Sequence, residues 1–413
     1  MRIKRLFAII PLICLVHISS AQSNLKAGIW RGELKTKSGN PLPFNFDVRD
    51  VSAKRQYLFI HNGTERFSVT DIRQKGDSVF IHMPLFNSEF KLKQNKDGLK
   101  GQWIKHYADH DMVMDFDAVP GKDWRFVSKP AAPKANITGL WTSVFVSDGG
   151  KPDTTVGEFK QTGSKFTGTF LTTTGDYRFL EGTVNGNKLY LSTFDGGHAF
   201  LFVADVKDNK TISNGIFYDG YDGADKWTAY RNSKAALPDT YSLTKLKPGV
   251  KKIAFTFPDL NGKKVSLTDP KYKNKVVIIQ MMGSWCPNCM DETNFLVNSY
   301  YKKYHLKGVE IIGLAYERTT DFNKSKATLT QLKSRFNIPY TLLITGYTPG
   351  KGDPIKSLPA LENYKGFPTT IIIDKKGNVS KIHTGFSGPG TGKYYTEFVA
   401  EFEKLTENLL AEK

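Results

Sequence analysis

Two thiols three residues apart are the side chains of this chain best suited to chemistry: Cys286 and Cys289, in Trp285-Cys286-Pro287-Asn288-Cys289. On a helix that spacing puts both sulfurs on one face, about one turn apart. They can then close a small disulfide ring and reopen it, the behaviour of a dithiol redox pair. An apolar run over 276–279 leads into the pair, and a helical pattern follows it. Cys286 therefore falls near a helix N-terminus, where unpaired N–H groups and the helix dipole favour a thiolate. Pro287 suits the first turn, because the N–H it lacks would have had no partner there.

The chain holds only three cysteines, and Cys14 lies in an apolar leader. One pair is left for the mature chain. A loop that short adds little loop-closure stabilisation, so a structural staple is the weaker reading. A zinc ribbon would need a second Cys or His pair at matching spacing. A haem-attachment site would need His where Met290 stands.

These residues resemble the thioredoxin superfamily, and within it the TlpA/ResA-like thiol-disulfide oxidoreductases with a redoxin (AhpC-TSA-like) domain. The motifs are Trp285 to Cys289, Glu292 three residues past the second Cys, and Pro368-Thr369-Thr370 before a terminal strand. The likeness covers roughly residues 250–410. It implies that Cys286 attacks a partner disulfide and that Cys289 resolves the mixed disulfide. It implies a cis Pro368 facing the pair, with Phe367 and Trp285 meeting the substrate. Plain thioredoxins keep a buried Asp where this chain has Gln280, which cannot take a proton. Glu292 is then the implied base for Cys289. The resemblance further implies a protein or peptide disulfide as partner, reduction as the direction, and a membrane electron donor. It implies no cofactor beyond the Cys286–Cys289 disulfide itself.

Competing readings are a thiol peroxidase-like redoxin, a copper carrier using Cys286, Cys289 and His383, and a non-enzymatic envelope adaptor. The peroxidase would need Thr-x-x-Cys, but Met281-Met282-Gly283 fills that zone. Copper carriers of this kind use Cys-x-x-x-Cys.

The first 21 residues read as a signal peptide: Arg2, Lys4 and Arg5, then an apolar stretch to Ile18, then Ser19-Ser20-Ala21. Export to a periplasm or cell envelope follows. Lipidation at Cys14 is disfavoured, because Pro11-Leu12-Ile13 lacks the small residues such a site carries. The net charge of +18 is spread over strands, turns and helices. That points to a solvated basic surface and not to a nucleic-acid site. No feature fixes an oligomeric state.

The elements that must position the pair divide the chain in two. Residues 22–232 show short alternating strands, such as Phe44, Phe46 and Val48, between Asx-Gly turns. That is an antiparallel barrel or sandwich. Gly28-Ile29-Trp30 returns as Gly139-Leu140-Trp141, and similar pairs keep an offset near 110, so a duplication is expected: one β unit over 22–134, a second over 135–232. The aromatics Tyr177, Phe179, Tyr190, Phe194, Phe200 and Phe202 are candidates to line an interior. Low periodicity with Pro and Gly marks 233–250 as a linker. Residues 251–413 alternate strands and helices before a last hairpin and a closing helix, an α/β thioredoxin-like domain. The fold class is therefore multidomain, all-β followed by α/β.

Overall fold

The computed structural model describes residues 25–412 apart from 53, 54, 108 and 351. The expected signal peptide and Cys14 lie outside the described residues. Two nine-stranded antiparallel sheets come first, and a mixed five-stranded sheet follows.

The first sheet holds β1 (Gly28–Lys35), β2 (Pro41–Ser52), β3 (Arg55–Asn62), β4 (Glu65–Val69), β5 (Asp71–Lys75), β6 (Ser78–His82), β7 (Ser88–Gln94), β8 (Leu99–His106) and β9 (Asp111–Pro120). Its order is β4-β3-β2-β1-β9-β8-β7-β6-β5. The two edges, β4 and β5, are separated in sequence only by Thr70. The sheet must therefore curl until its edges meet, which makes an up-and-down barrel.

The second holds β10 (Gly139–Val146), β11 (Asp153–Thr162), β12 (Lys165–Thr172), β13 (Gly175–Asp176), β14 (Leu180–Asn185), β15 (Lys188–Phe194), β16 (Ala199–Val206), β17 (Thr211–Asp219) and β18 (Gly223–Arg231). Here β11 also pairs with β12, so the ring closes. The corners at Asn62-Gly63, Gly76-Asp77, Asp97-Gly98, Asp148-Gly149, Asn185-Gly186, Asp195-Gly196 and Asp219-Gly220 fall at strand ends or between strands, whereas Asn214-Gly215 lies inside β17 at an irregularity. The duplication is visible in detail. Trp30 Nε1 donates to the Lys26 carbonyl at 2.7 Å, and Trp141 Nε1 donates to the Ile137 carbonyl at 2.8 Å, the same step back in each unit.

Alternation on these strands turns one face inward, as in β3, where every second residue is buried. The second interior is filled by Phe145, Phe170, Phe202, Phe217 and Trp227 in mutual ring contact. Tyr177 and Phe200 join them. Three of the expected lining residues face elsewhere; Phe179 lines a groove with Pro389 and Lys393. Phe194 enters the first barrel, stacked 4.4 Å from Phe44 and edge-on to Trp103. Tyr190 stacks on Phe126. Beside the inserted Phe194, the first interior keeps a void of only about 10 Å³, roughly one water. The first barrel's core is thus filled by its own side chains and by one from its neighbour.

After a short hairpin of β20 (Thr256–Pro258) and β21 (Lys264–Ser266), the redox region is built on β22 (Val276–Met282), fully buried along its length. A strand flanked on both sides and covered on both faces has to be apolar throughout, and this one is, apart from Gln280. It pairs parallel with β23 (Val309–Ala315) and antiparallel with β26 (Thr369–Ile373). β24 (Thr341–Ile344) and β27 (Val379–Thr384) complete the order β24-β23-β22-β26-β27. Helix α1 (Pro287–Phe295) runs on through a π stretch (Leu296–Tyr301) into α2 (Lys302–Tyr304). α3 (Phe322–Phe336), α4 (Asp353–Ser357) and the closing α5 (Lys393–Ala411) follow.

Residues 233–250 behave differently from a free linker. β19 (Lys245–Leu246) pairs with β25 (Leu361–Glu362), in the stretch between α4 and β26. Thr384 N donates to the Thr240 carbonyl, and Thr384 Oγ1 donates to Thr244 Oγ1. A segment without periodicity can still be ordered when its backbone groups find a sheet edge.

Candidate active site

The chain turns from β22 into α1 at Gly283-Ser284-Trp285. Cys286 is the N-cap of α1, and Pro287 occupies the first turn. The Cys286 sulfur accepts the Cys289 N–H at 3.2 Å, so it faces the positive end of the helix. Cys286 and Cys289 are joined as a disulfide with Cα atoms 5.2 Å apart. Cys289 is fully buried, as expected for the inner thiol. Cys286, which the role of attacking thiol would leave open to solvent, is only 5% exposed. The β12–β13 hairpin of the second barrel packs close by, against Asn288.

Beneath the pair is a buried polar cluster. Gln280 Nε2 donates to the Cys289 carbonyl at 3.2 Å and to Glu292 Oε2 at 2.8 Å. Thr370 Oγ1 donates to the other Glu292 oxygen. Thr293 Oγ1 donates to Gln280 Oε1 at 3.3 Å. Glu292 is 2% exposed. Burial, opposed by the bonds from Thr370 and Gln280, pushes its carboxyl up to about 7. A carboxyl with that value is matched to proton exchange near neutrality.

The Phe367–Pro368 peptide is cis. The Phe367 ring meets the Trp285 ring edge-on at 5.6 Å. Trp285 Nε1 donates to the Tyr316 carbonyl at 2.9 Å. Trp285, Cys286, Cys289, Glu292, Phe367 and Pro368 are therefore gathered around the N-terminal end of α1 and the start of β26. His383 is set apart among the rings of Tyr241 and Phe398, and burial lowers its pKa to about 4. Among the described residues no group of three His, Cys, Asp or Glu is placed to hold a metal.

Several residues of the site carry no local sequence signal. The hairpin between β12 and β13 lies against α1 and the loop before Pro368. A Cβ on Gly175 would stand 2.1 Å from Asn288 Nδ2, and a Cβ on Gly366 would stand 2.8 Å from Thr174 Cγ2. Gly388 N donates to Asp176 Oδ2 at 2.7 Å. Arg178, 6% exposed, gathers acids from three regions. It donates to Asp291 Oδ1 at 2.8 Å and to Glu65 Oε1 at 2.6 Å, and its Nε lies 3.3 Å from Asp195 Oδ2. Burial pushes Asp291 up to about 7; Arg178 opposes this, while Asp176, Glu65 and Asp195 reinforce it. His198 and Arg178 overrule burial at Asp195 and hold its carboxyl below the usual range. On the other side of the pair, Glu317 accepts Ser284 N at 2.8 Å and Ser284 Oγ at 2.6 Å, fixing the turn before Trp285.

Residues 247–397 match the Redoxin family. The thiol-disulfide oxidoreductase ResA of Geobacillus thermodenitrificans (strain NG80-2) is 30% identical over 131 residues, 32% of this chain and 66% of that protein. ResA of Bacillus thuringiensis (strain Al Hakam) is 34% identical over 135 residues, 33% of this chain and 68% of that protein. The chain thus spans about two thirds of the length of these relatives. A putative thiol:disulfide interchange protein DsbE from Chlorobium tepidum superimposes with a TM-score of 0.29 and 23% identity, over 38% of this chain and 98% of that one. Through its C-terminal redox region, with the Cys286–Cys289 disulfide at the head of α1, this chain belongs to the thiol-disulfide oxidoreductases of the redoxin family.

Proposed function

We propose that this protein is an exported reductase of protein disulfides, working through Cys286 and Cys289. The observation that carries the reading is the placement of the disulfide over Glu292. Gln280 Nε2 bonds both the Cys289 carbonyl and the Glu292 carboxyl, tying the inner thiol's turn to a buried proton acceptor.

In the reduced form the Cys286 thiolate attacks one sulfur of a client disulfide. A mixed disulfide forms, and the client's other sulfur leaves as a thiolate. Glu292 takes the Cys289 proton. The Cys289 thiolate then attacks Cys286 Sγ, the Cys286–client bond breaks, and the second client sulfur leaves. Two electrons have passed to the client, and the Cys286–Cys289 disulfide of this structure is the product. An external dithiol donor at the membrane returns the pair to the reduced state. Trp285 and Phe367 form the apolar rim at which the client is received. The basic leader with its apolar stretch and small-residue end supports export.

The test is reduction of insulin disulfides by the wild type against Cys286→Ser. Loss of about a thousandfold or more is expected, because the thiol nucleophile is gone. Equal rates would remove the enzyme reading. Mass determination of the secreted chain should place its first residue at Gln22.

A further inference from the structure

The two sides of the dithiol are not equally open. On the side of Asn288 and the Gly366-Phe367 loop, the second barrel's hairpin already sits in contact. On the side of Trp285 a cleft of about 470 Å³ separates the redox region from the first barrel. Its walls include Lys105 and Tyr107 from the end of β8, Trp285, and Glu317, Arg318 and Lys324 from the loop after β23 and the start of α3.

The chemistry of those walls is lopsided. Arg318 lies over the Trp285 ring at 4.9 Å and over the Tyr107 ring at 5.2 Å, so aromatic faces hold its guanidinium in place. Lys324 adds a second cation, while the Lys105 ammonium at the barrel wall donates to the Gly197 carbonyl at 2.6 Å. Among the described lining residues Glu317 is the one carboxylate, and it is 5% exposed with both oxygens taken by Ser284. Burial and the facing Arg318 hold the Lys105 ammonium below its ordinary value, although Asp195 and Asp219 oppose this. The cleft therefore presents cations and aromatic faces with no free carboxylate to meet them. Its nearest wall to the sulfurs is Trp285, the residue before Cys286.

We propose that the disulfide client docks here as an extended polypeptide segment in which acidic residues are interleaved with apolar ones. The carboxylates meet Arg318 and Lys324, and the apolar side chains cover Tyr107 and Trp285. This rests on the disulfide-reductase reading and adds to it the route and the class of client. The first barrel is then half of the client site, and the hairpin of the second closes the opposite approach.

The experiment uses the full mature chain and two short cysteine-free peptides bearing the same neutral dye, one of alternating Glu and Leu, the other of alternating Lys and Leu. Binding is read by fluorescence anisotropy. The acidic peptide should bind at least about tenfold more tightly than the basic one, and rising salt should shrink the difference. Lys324→Glu, on the exposed face of α3, should weaken acidic-peptide binding about fivefold, and Arg318→Glu should weaken it further. Equal affinity for the two peptides, or no change in either variant, overturns the proposal. Reduction of hydroxyethyl disulfide, small and neutral, is measured in parallel on the wild type. Turnover of that compound without a peptide preference sinks the cleft and leaves the reductase. Peptide preference without any turnover supports the cleft and sinks the reductase.

Discussion

The two barrels share an up-and-down strand order, apart from the direct pairing of β14 with β12, and the same tryptophan anchor, yet they meet the redox region in different ways. In the first, β3 turns through Asn62-Gly63 straight into β4, and its contribution near the dithiol is one carboxylate, Glu65. In the second, the matching turn has become Thr172 to Gly175, followed by the two-residue β13 and Arg178. That stretch reaches Asn288, Gly366, Gly388 and Asp291. Divergence at one corner of a repeated scaffold has turned the second copy into a cover and left the first as the far wall of a cleft.

The sharpest way to break this difference is Arg178→Ala. It leaves Glu65, Asp195 and Asp291 without their shared cation in a buried setting, so a loss of about 3–5 kcal/mol in urea-induced unfolding is expected. The second barrel's hold on α1 should weaken with it, read as faster alkylation of Cys286 in the reduced protein. A stability within about 0.5 kcal/mol of the wild type would mean that the hub does not join the two regions.

Adjacent carboxylates on α1 sharpen the contrast. Asp291 faces the second barrel, whereas Glu292 faces the redox region's own Gln280 and Thr370. The Glu292 value of about 7 lies above its ordinary 4.5, so the folded state holds that proton more tightly than the unfolded chain does. Its contribution to stability is complete below about pH 4.5 and is lost as pH rises through about 7. Glu292→Gln should therefore stabilise the protein at pH 8 by up to about 3 kcal/mol. It should also slow disulfide reduction about a hundredfold and remove the rate change near pH 7. Some pH dependence of stability remains, since Asp291 is shifted in the same direction. An unchanged rate at every pH would exclude Glu292 as the proton acceptor.

A smaller effect is expected from Gly175→Ala. Its Cβ would stand 2.1 Å from the Asn288 amide, at a φ of +152° that side chains avoid. The hairpin should lift from α1 at a cost of about 2 kcal/mol, with Cys286 alkylated a few times faster. The corresponding corner of the first barrel, Gly63, is free of the dithiol, and a substitution there should leave alkylation unchanged. Smallest of all, Trp30→Phe and Trp141→Phe should each cost about 1–2 kcal/mol, since each loses one buried N–H···O bond. Their near-equality, by thermal unfolding, tests the duplication; a large imbalance would speak against it.

Much of this could be read from local sequence. The apolar run at 276–279, the Cys-x-x-Cys and Pro287 mark a strand, a cap and a helix within one short window. The Asx-Gly corners mark the hairpins, and the recurring Gly-x-Trp marks the repeat. What stayed hidden depends on contacts far apart in sequence. Arg178 and Asp291 are 113 residues apart, and no pattern around either names the other. The packing of Thr174 and Gly175 against Gly366 and Asn288 has the same origin, since nothing near the dithiol foretells it. Phe194 has the alternation of an interior residue, and it is one, but of the neighbouring barrel. Residues 233–250 read as a linker because a two-residue sheet contact leaves no periodicity.

The central claim, that Cys286 is the attacking thiol and Cys289 the resolving one, is tested most directly by trapping. Cys289→Ala, reduced and mixed with an oxidised client peptide carrying acidic flanks, should accumulate a one-to-one mixed disulfide. Peptide mapping should place the bond at Cys286, and dithiothreitol should release it. No adduct with Cys289→Ala, or an equal yield with Cys286→Ala, would contradict the account.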